Sequence, residues 1–225
     1  MLDKVTIMAL VRKSGQQQPS LENASAGHEG DSEAVSPKPF QSLVEELSHG
    51  DPETRRWAAM DLARHDAADI LGNAFLRETD ASVREAMITS LASLANDTAA
   101  GHLASGLRSE SASVRNECID ALRSMPKQCE SVIPVLMLDP DSDLRIFAVN
   151  ILETLQHPSV EPWLIEILEH DPEVNVCGAA LNVLTEVGTV QSLPAIDAVV
   201  ERFFDEPFIE FGASLARDRI RGEHT

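Results

Sequence analysis

The feature that most constrains the fold of this chain is a twelve-residue segment, seen for example as 80-DASVREAMITSL-91, that recurs along it at nearly constant spacing. Each copy contains one fixed position, here called the slot, which follows an apolar residue in the clearest copies. The slots are assigned to Arg55, Arg84, Arg115, Arg145, Cys177 and, more loosely, Ile209. Successive steps are 29, 31, 30, 32 and 32 residues. A period of about 20 to 50 residues is typical of a chain built from stacked structural repeats.

Each copy is predicted to form a helix. Counting from the slot, the residues at −1, +3, +7 and +10 share one face of a 3.6-residue period, as Val83, Met87, Leu91 and Leu94 do. An Asp or Ser at the start of the copy can cap the exposed amides of the first turn. Pro is tolerated there because its missing N–H would have no helical partner anyway.

A second apolar segment precedes each copy and is also long enough for two or three helical turns. These segments are 40–50, 67–78, 99–110, 131–138, 159–170 and 192–204. Short polar links join each segment to the following copy, which predicts antiparallel helical hairpins. Because one hairpin of about 30 residues cannot bury both apolar faces alone, neighbouring hairpins must stack. We therefore predict an all-α chain, an α-solenoid of about six hairpins.

The composition agrees with this fold and separates the N-terminus from the repeats. There is no Tyr, and aromatic residues make up only 4% of the chain, which suits helix packing better than sheet formation. Residues 1–38 are mostly polar and are predicted to be a flexible, disordered segment, followed by the solenoid at 39–221 and a tail at 222–225. The apolar run at 5–11 is too short to span a bilayer. It is either a frayed terminus or a segment that docks on a partner or on the solenoid.

The repeated pattern Asp-x-x-Val-Arg, followed by small residues and Leu, resembles HEAT repeats, especially the short form found in phycobiliprotein lyases. The resemblance covers about residues 40 to 220. It implies an internal ladder in which Arg55, Arg84, Arg115 and Arg145 pair with acidic turn residues. The implied acids are Asp51, Asp80, Asp141 and, as a further candidate, Asp171. At Cys177 and Ile209 the pattern departs from the family, and there we expect plain packing instead.

The ladder arginines could also form an anion-binding row. Charged side chains between stacked repeats must be paired, however, and this favours the structural interpretation.

Net charge excludes some kinds of partner. The chain carries −19, and residues 1–38 contribute four basic and five acidic groups, which leaves 14 basic and 32 acidic groups in the remainder. A nucleic-acid-binding protein shows the opposite balance, and an anionic membrane surface would repel such a chain. The acidic excess either keeps a cytoplasmic protein soluble or attracts a protein partner with a basic surface.

No pattern in the sequence indicates catalysis, a cofactor or a metal. The three cysteines, Cys118, Cys129 and Cys177, form no Cys-x-x-Cys motif and are expected to be free thiols in a reducing compartment. The seven histidines are scattered, and no phosphate-binding loop or nucleophile elbow is present. We therefore expect a cytoplasmic, non-catalytic protein without cofactor or metal ligands.

The repeat geometry predicts where a partner would bind. Positions +1, +5 and +8 from each slot point away from the core and are expected to line the concave face of the stack. The predicted partner-binding residues are Asn116, Asp120, Arg123, Ile146, Asn150, Glu153 and Asn182. They combine hydrogen-bonding groups with one apolar residue, Ile146, that we expect to be exposed. An ordinary solvated helix face is the alternative.

Two functions remain open. The first is a non-catalytic scaffold or adaptor that holds a protein partner on the concave face. The second, which only the resemblance implies, is a chromophore lyase or chaperone-like subunit of the phycobilin lyase type.

Overall fold

The computed structural model describes residues 38–222, and this range forms twelve helices and no strand. The odd-numbered helices are α1 (Phe40–His49), α3 (Ala68–Phe75), α5 (Asp97–Gly106), α7 (Cys129–Met137), α9 (Val160–His170) and α11 (Leu193–Arg202). The even-numbered helices are α2 (Pro52–Leu62), α4 (Ala81–Leu94), α6 (Ala112–Arg123), α8 (Ser142–Leu152), α10 (Val174–Val187) and α12 (Pro207–Arg221). The prediction of an all-α chain of six hairpins is confirmed.

The starts of three even helices follow the predicted capping chemistry. The carboxylate of Asp51 accepts a hydrogen bond from the amide of Thr54 at 2.8 Å, and that of Asp80 accepts one from Ser82 at 2.9 Å. The carboxylate of Asp141 likewise accepts a hydrogen bond from the amide of Asp143. Each carboxylate satisfies amides that have no helical partner, and this fixes where the helix begins.

The helices form two layers with the core between them. Successive even helices pack against one another from α2 to α12, and each also packs on an odd helix of its own hairpin. Leu71 and Leu103 on the odd layer and Leu91 and Leu122 on the even layer have no exposed surface. Burying one such side chain contributes about 1.5–3 kcal/mol, and the core runs through all the described repeats. No helix within residues 38–222 is long and apolar enough to cross a bilayer.

The slot of the sixth repeat lies one residue later than the sequence alignment placed it. Every other even helix begins three residues before its slot, as α4 does with Ala81 and Arg84. Because α12 begins at Pro207, its slot is Glu210, and the assignment of Ile209 is wrong. Ile209 is fully buried, as the residue before a slot should be. The connection before α12 is one residue longer than the sequence alignment of the slots assumed.

The predicted flexible segment and C-terminal tail lie almost wholly outside the described residues. Of the segment at 1–38, the structure describes only Lys38, whose ammonium group donates to the carboxylate of Glu46 on α1 at 2.7 Å. Of the tail at 222–225, it describes only Gly222, which follows α12 in a left-handed conformation with φ of 72°. The predictions for the remaining residues of both segments stay predictions.

Candidate protein-binding surface

The arginine ladder is formed in part, with two-point ion pairs at Arg55 and Arg145, and Arg145 shows the complete arrangement. The guanidinium of Arg145 donates to the two carboxylate oxygens of Asp171 at 2.7 and 3.1 Å. It also donates to the carbonyl oxygen of Asp139 at 2.9 Å, which closes the turn between α7 and α8. Both side chains are buried, and the carboxylate raises the pKa of Arg145 further above its usual value. This arginine therefore joins the fourth repeat to the fifth.

The ladder acids lie six residues before a slot rather than four. Glu78 occupies this position before Arg84, and it forms a two-point ion pair with Arg55 of the preceding repeat at 2.9 and 3.0 Å. Hydrogen bonding from Arg55 lowers the pKa of Glu78 below its usual value of 4.5, against the opposing effect of burial. Asp171 is the corresponding residue of the fifth repeat, so its predicted pairing is correct.

The other three predicted ladder acids are not ion-pair partners of the arginines. Asp51, Asp80 and Asp141 lie four residues before their slots, where their carboxylates cap helices. The pKa of Asp51 is lowered first by the Thr54 amide, and that of Asp80 first by the Ser82 hydroxyl. The prediction is wrong for these three because a capping carboxylate is turned toward the amides of its own helix.

Two slots lack the complete arrangement. Ser109 stands six residues before Arg115, so Arg84 has no acid at that place and approaches Glu117 only to 3.8 Å. Arg115 donates to the carbonyl oxygens of Ser109 and Glu110 at 2.7 and 2.9 Å, and its guanidinium lies 5.5 Å from the ring centre of Phe147. Asp139, six residues before Arg145, stands at the ladder position for Arg115, but its carboxylate pairs with Arg108 instead.

At the fifth slot an arginine from the next repeat takes the place of the missing one. Arg202, at the end of α11, donates to the carbonyl oxygens of Leu168, Glu169 and Asp171 at 2.8, 2.7 and 3.0 Å. Its guanidinium also lies 3.2 Å from the sulfur of Cys177. The expectation of plain packing at Cys177 is therefore wrong, since the carbonyl groups at this turn still need a donor.

The contacts of the ladder arginines favour the structural interpretation over an anion-binding row. Arg55, Arg84, Arg115 and Arg145 all direct guanidinium groups to carbonyl oxygens five or six residues earlier in the chain. Each of the four therefore uses at least one donor inside the fold and helps to close the turn of its hairpin, although the buried Nε of Arg84 has no hydrogen-bond partner among the described residues.

The three cysteines lie in the core and are poorly suited to nucleophilic chemistry. Burial raises the pKa of Cys118 to about 12 and the pKa values of Cys129 and Cys177 to about 11. At neutral pH a thiol with such a pKa is protonated, and the thiolate is the reactive form. In the part of the chain that the structure describes, no three His, Cys, Asp or Glu residues come together to hold a metal ion.

The predicted partner-binding residues lie on the outer side of the even helices, which we name the even-helix surface and define by positions +1, +5 and +8 after each slot. Asn116, Asp120 and Glu153 are exposed there, and so is Asn182 on α10. Arg123, Ile146 and Asn150 are half-buried.

Four of these residues come together where α6 and α8 end. Arg123 is the last residue of α6, and it donates to the carbonyl oxygen of Asn150 at 2.5 and 3.2 Å. That carbonyl lies in the last turn of α8, whose carbonyl oxygens lack helical partners and carry negative charge. Arg123 also donates to Asp120 at 3.1 Å and to Glu153 at 2.8 Å. One cation thus holds two carboxylates from neighbouring repeats.

The two carboxylates remain largely open to solvent. The side chain of Asp120 is 73% exposed and that of Glu153 is 57% exposed, whereas Arg123 between them is 24% exposed. The cluster therefore has one negative charge in excess and presents carboxylate oxygens outward. A lysine or arginine of another protein could approach both carboxylates without displacing Arg123.

Ile146 is half-buried and is not the exposed apolar residue that the sequence predicted. It packs partly against the core, because it follows the buried Arg145 on a turn of α8 that lies close to its neighbours. The apolar residues of the even-helix surface lie instead on α12, where the corrected slot places Phe211 at +1 and Leu215 at +5. Both are exposed. The sequence signal that could have located them is Pro207, which stands three residues before Glu210 at the start of α12, as Pro52 stands three residues before Arg55 at the start of α2.

The chain is similar to known repeat proteins. A family model of HEAT repeats matches residues 40–123 and 130–207, which include the first five slots. The archaeal HEAT-like repeats protein from Thermococcus onnurineus NA1 is 20% identical, with 81% of this chain and 87% of that chain covered and a TM-score of 0.43. For the complex of CpcE and CpcF of phycocyanin lyase from Nostoc sp. PCC7120 the identity is 16%, the covered shares are 86% and 99%, and the TM-score is 0.37. No curated protein sequence matches the chain.

Proposed function

The chain belongs to the HEAT-repeat family, and we propose that it is a non-catalytic scaffold or adaptor that binds a protein partner through its even-helix surface. The observation that carries the proposal is the cluster in which Arg123 holds Asp120 and Glu153 side by side. Exposed charges that a fold fixes in place are ready to meet opposite charges on a partner without further ordering.

The charge of the chain supports a partner with a basic surface. Beyond residue 38 there are 32 acidic and 14 basic groups, and the cluster itself has a negative excess. Complementary charges accelerate the encounter of two proteins and select against partners of like charge. Asn116, one turn before Asp120 on α6, and Asn182, on α10, offer hydrogen-bonding groups on the same even-helix surface.

The test is a paired affinity purification from the native cell, with the wild type and the variant D120K/E153K as baits. We expect the variant to lose the partner, and titration of the purified partner should show at least a tenfold weaker affinity, which corresponds to about 1.4 kcal/mol. The variant should fold, because exposed ion pairs contribute only about 0.2–1 kcal/mol each.

The matched control is E45K/E166K. It changes the net charge by the same amount but places the lysines on the odd helices α1 and α9, where both glutamates are exposed. The control should lose only the long-range part of the attraction, which weakens as salt rises because the screening length is about 8 Å at physiological ionic strength. Equal affinities for the two variants would place the partner elsewhere than on the even-helix surface.

A further inference from the structure

Helix α12 carries an exposed apolar stripe that belongs to the even-helix surface but lies on a different repeat from the acidic cluster that carries the proposed function. Phe208, Phe211 and Leu215 are 57%, 70% and 48% exposed, and their spacing of three and four residues places them on one face of the helix. Ile209, on the buried face of the helix, has no exposed surface. A contiguous apolar face of this kind on a soluble domain marks a site of association.

The stripe is held on a rigid element. The ring of Phe208 lies over Gly178 of α10 so closely that a Cβ at Gly178 would come within 2.1 Å of it. At Gly212 an added Cβ would lie 3.5 Å from the side chain of Leu181. The close approach of α12 to α10 therefore fixes the position of the stripe, and a partner would meet a surface that is already ordered.

Opposite charges lie beyond the two ends of the stripe. Asp205 and Glu206 precede α12, whereas its last turn holds Arg219 and Arg221 together with the half-buried Asp218 and is net basic. The other four residues are all exposed, and none of them has an ion-pair partner within residues 38–222. A single helix with an acidic start, an apolar middle and a basic end is complementary to a copy of itself that runs in the opposite direction.

We propose that α12 pairs with the α12 of a second copy of this chain in an antiparallel, two-fold arrangement. Such an interface is isologous, so each contact occurs twice. When the helices are aligned about Ala213, near their middle, Phe211 of one copy falls opposite Leu215 of the other, and Asp205 falls opposite Arg221. A segment of a different protein with only basic charges would match Asp205 and Glu206 but would meet like charges at Arg219 and Arg221.

The pairing does not involve the acidic cluster of the proposed function, and it responds to salt in the opposite way. Each copy carries −19, so two copies repel each other at low ionic strength. Salt screens this repulsion, and the dimer should therefore strengthen as the screening length falls toward about 8 Å. A complex with a basic partner should weaken over the same range.

The first test measures self-association of the full chain by sedimentation velocity over a wide concentration range. The wild type should dimerise, and F211E should raise the dimer dissociation constant at least about tenfold, as expected for an anchor at the centre of an interface. The control is W57E, which replaces another exposed aromatic residue, at the far end of the even layer on α2. It should leave the dimer intact, and circular dichroism should show native helix content for both variants.

The second test examines the antiparallel direction by exchanging charges. D205K lowers the negative charge of each copy, so general repulsion alone would strengthen the dimer. If Asp205 faces Arg221, the introduced lysine should instead weaken the dimer, by about twofold to fivefold as for an exposed ion pair. The combined variant D205K/R221E keeps the wild-type net charge and should restore wild-type affinity.

Three results would overturn the proposal. They are a wild type that stays monomeric, a dimer that F211E leaves unchanged, and a double charge exchange that does not restore affinity. If the wild type is monomeric, titration with a synthetic amphipathic peptide of mixed charge follows. Binding that F211E abolishes would then assign the stripe to a different protein.

Discussion

The first four repeats and the fifth close their turns with the same chemistry but take the guanidinium from different places. In the fourth repeat Arg145 lies in the slot and donates to the carbonyl oxygen six residues earlier, that of Asp139. In the fifth repeat the slot is Cys177, and Arg202 of the following repeat donates to the corresponding carbonyl, that of Asp171. The fold therefore needs a donor at each turn, while the residue that supplies it can change.

The two regions also differ in what the guanidinium binds besides carbonyl groups. Arg55 and Arg145 each hold a carboxylate of the next repeat by two hydrogen bonds. Arg202 binds three carbonyl oxygens and a thiol, and none of its hydrogen bonds goes to a carboxylate. The first arrangement joins repeats through an ion pair, whereas the second relies on neutral acceptors.

The largest effect is expected at Arg145. Substitution R145A removes one partner of a buried ion pair and leaves the carboxylate of Asp171 without it, which costs about 3–5 kcal/mol. R115A should cost less, about 1–2 kcal/mol, because Arg115 contacts carbonyl groups and the Phe147 ring without a carboxylate partner. Urea unfolding followed by circular dichroism measures both. Equal losses would show that the carboxylate adds nothing to the carbonyl contacts.

Arg202 should have an intermediate effect. R202A leaves three carbonyl oxygens without their donor and should destabilise by about 1–3 kcal/mol. The control R77A, at an exposed arginine between α3 and α4, should change stability by no more than about 0.5 kcal/mol. If R202A behaves like this control, the comparison between the two regions fails.

A double substitution tests whether an arginine in the fifth slot can replace Arg202 as the donor. In the double variant C177R/R202A the new arginine can reach the carbonyl of Asp171 as the other slot arginines reach theirs, and it should recover part of the stability that R202A loses. C177R alone should be less stable than the double variant, because two guanidinium groups would then compete for one set of carbonyl oxygens.

Much of the fold could be predicted from the sequence because it follows from periodic burial. The spacing of apolar residues placed all six hairpins, and Asp51 and Asp80 marked helix starts through their capping side chains. These features depend on neighbours in the chain, which a single sequence displays directly. The sixth slot was misplaced because the connection before it is longer, and there the pattern of buried positions is weakest.

The partners of the ladder could not be predicted in the same way. Asp80 and Glu78 are both acids of one turn, and only the packing of α2 against the next hairpin brings Glu78 to Arg55. Likewise, Arg202 reaches Cys177 across 25 residues of sequence, and the change from Arg to Cys gives no sign of which residue compensates. The prediction that Ile146 is exposed was also wrong, because its exposure depends on how deeply one turn of α8 packs.

The smallest expected effect is the response of stability to acid. It also separates the two regions most directly. The pKa of Glu78 is lowered in the fold, chiefly by its hydrogen bonds from Arg55. A carboxyl group with a lowered pKa stabilises the fold above its unfolded value of about 4.5, and this contribution is lost as pH falls through the folded pKa. The difference in urea midpoint between the wild type and E78Q should therefore be present at neutral pH and shrink in acid. The difference between the wild type and R202A should change less, because carbonyl oxygens do not titrate. If both differences shrink alike, the donor at the fifth turn also depends on a carboxylate.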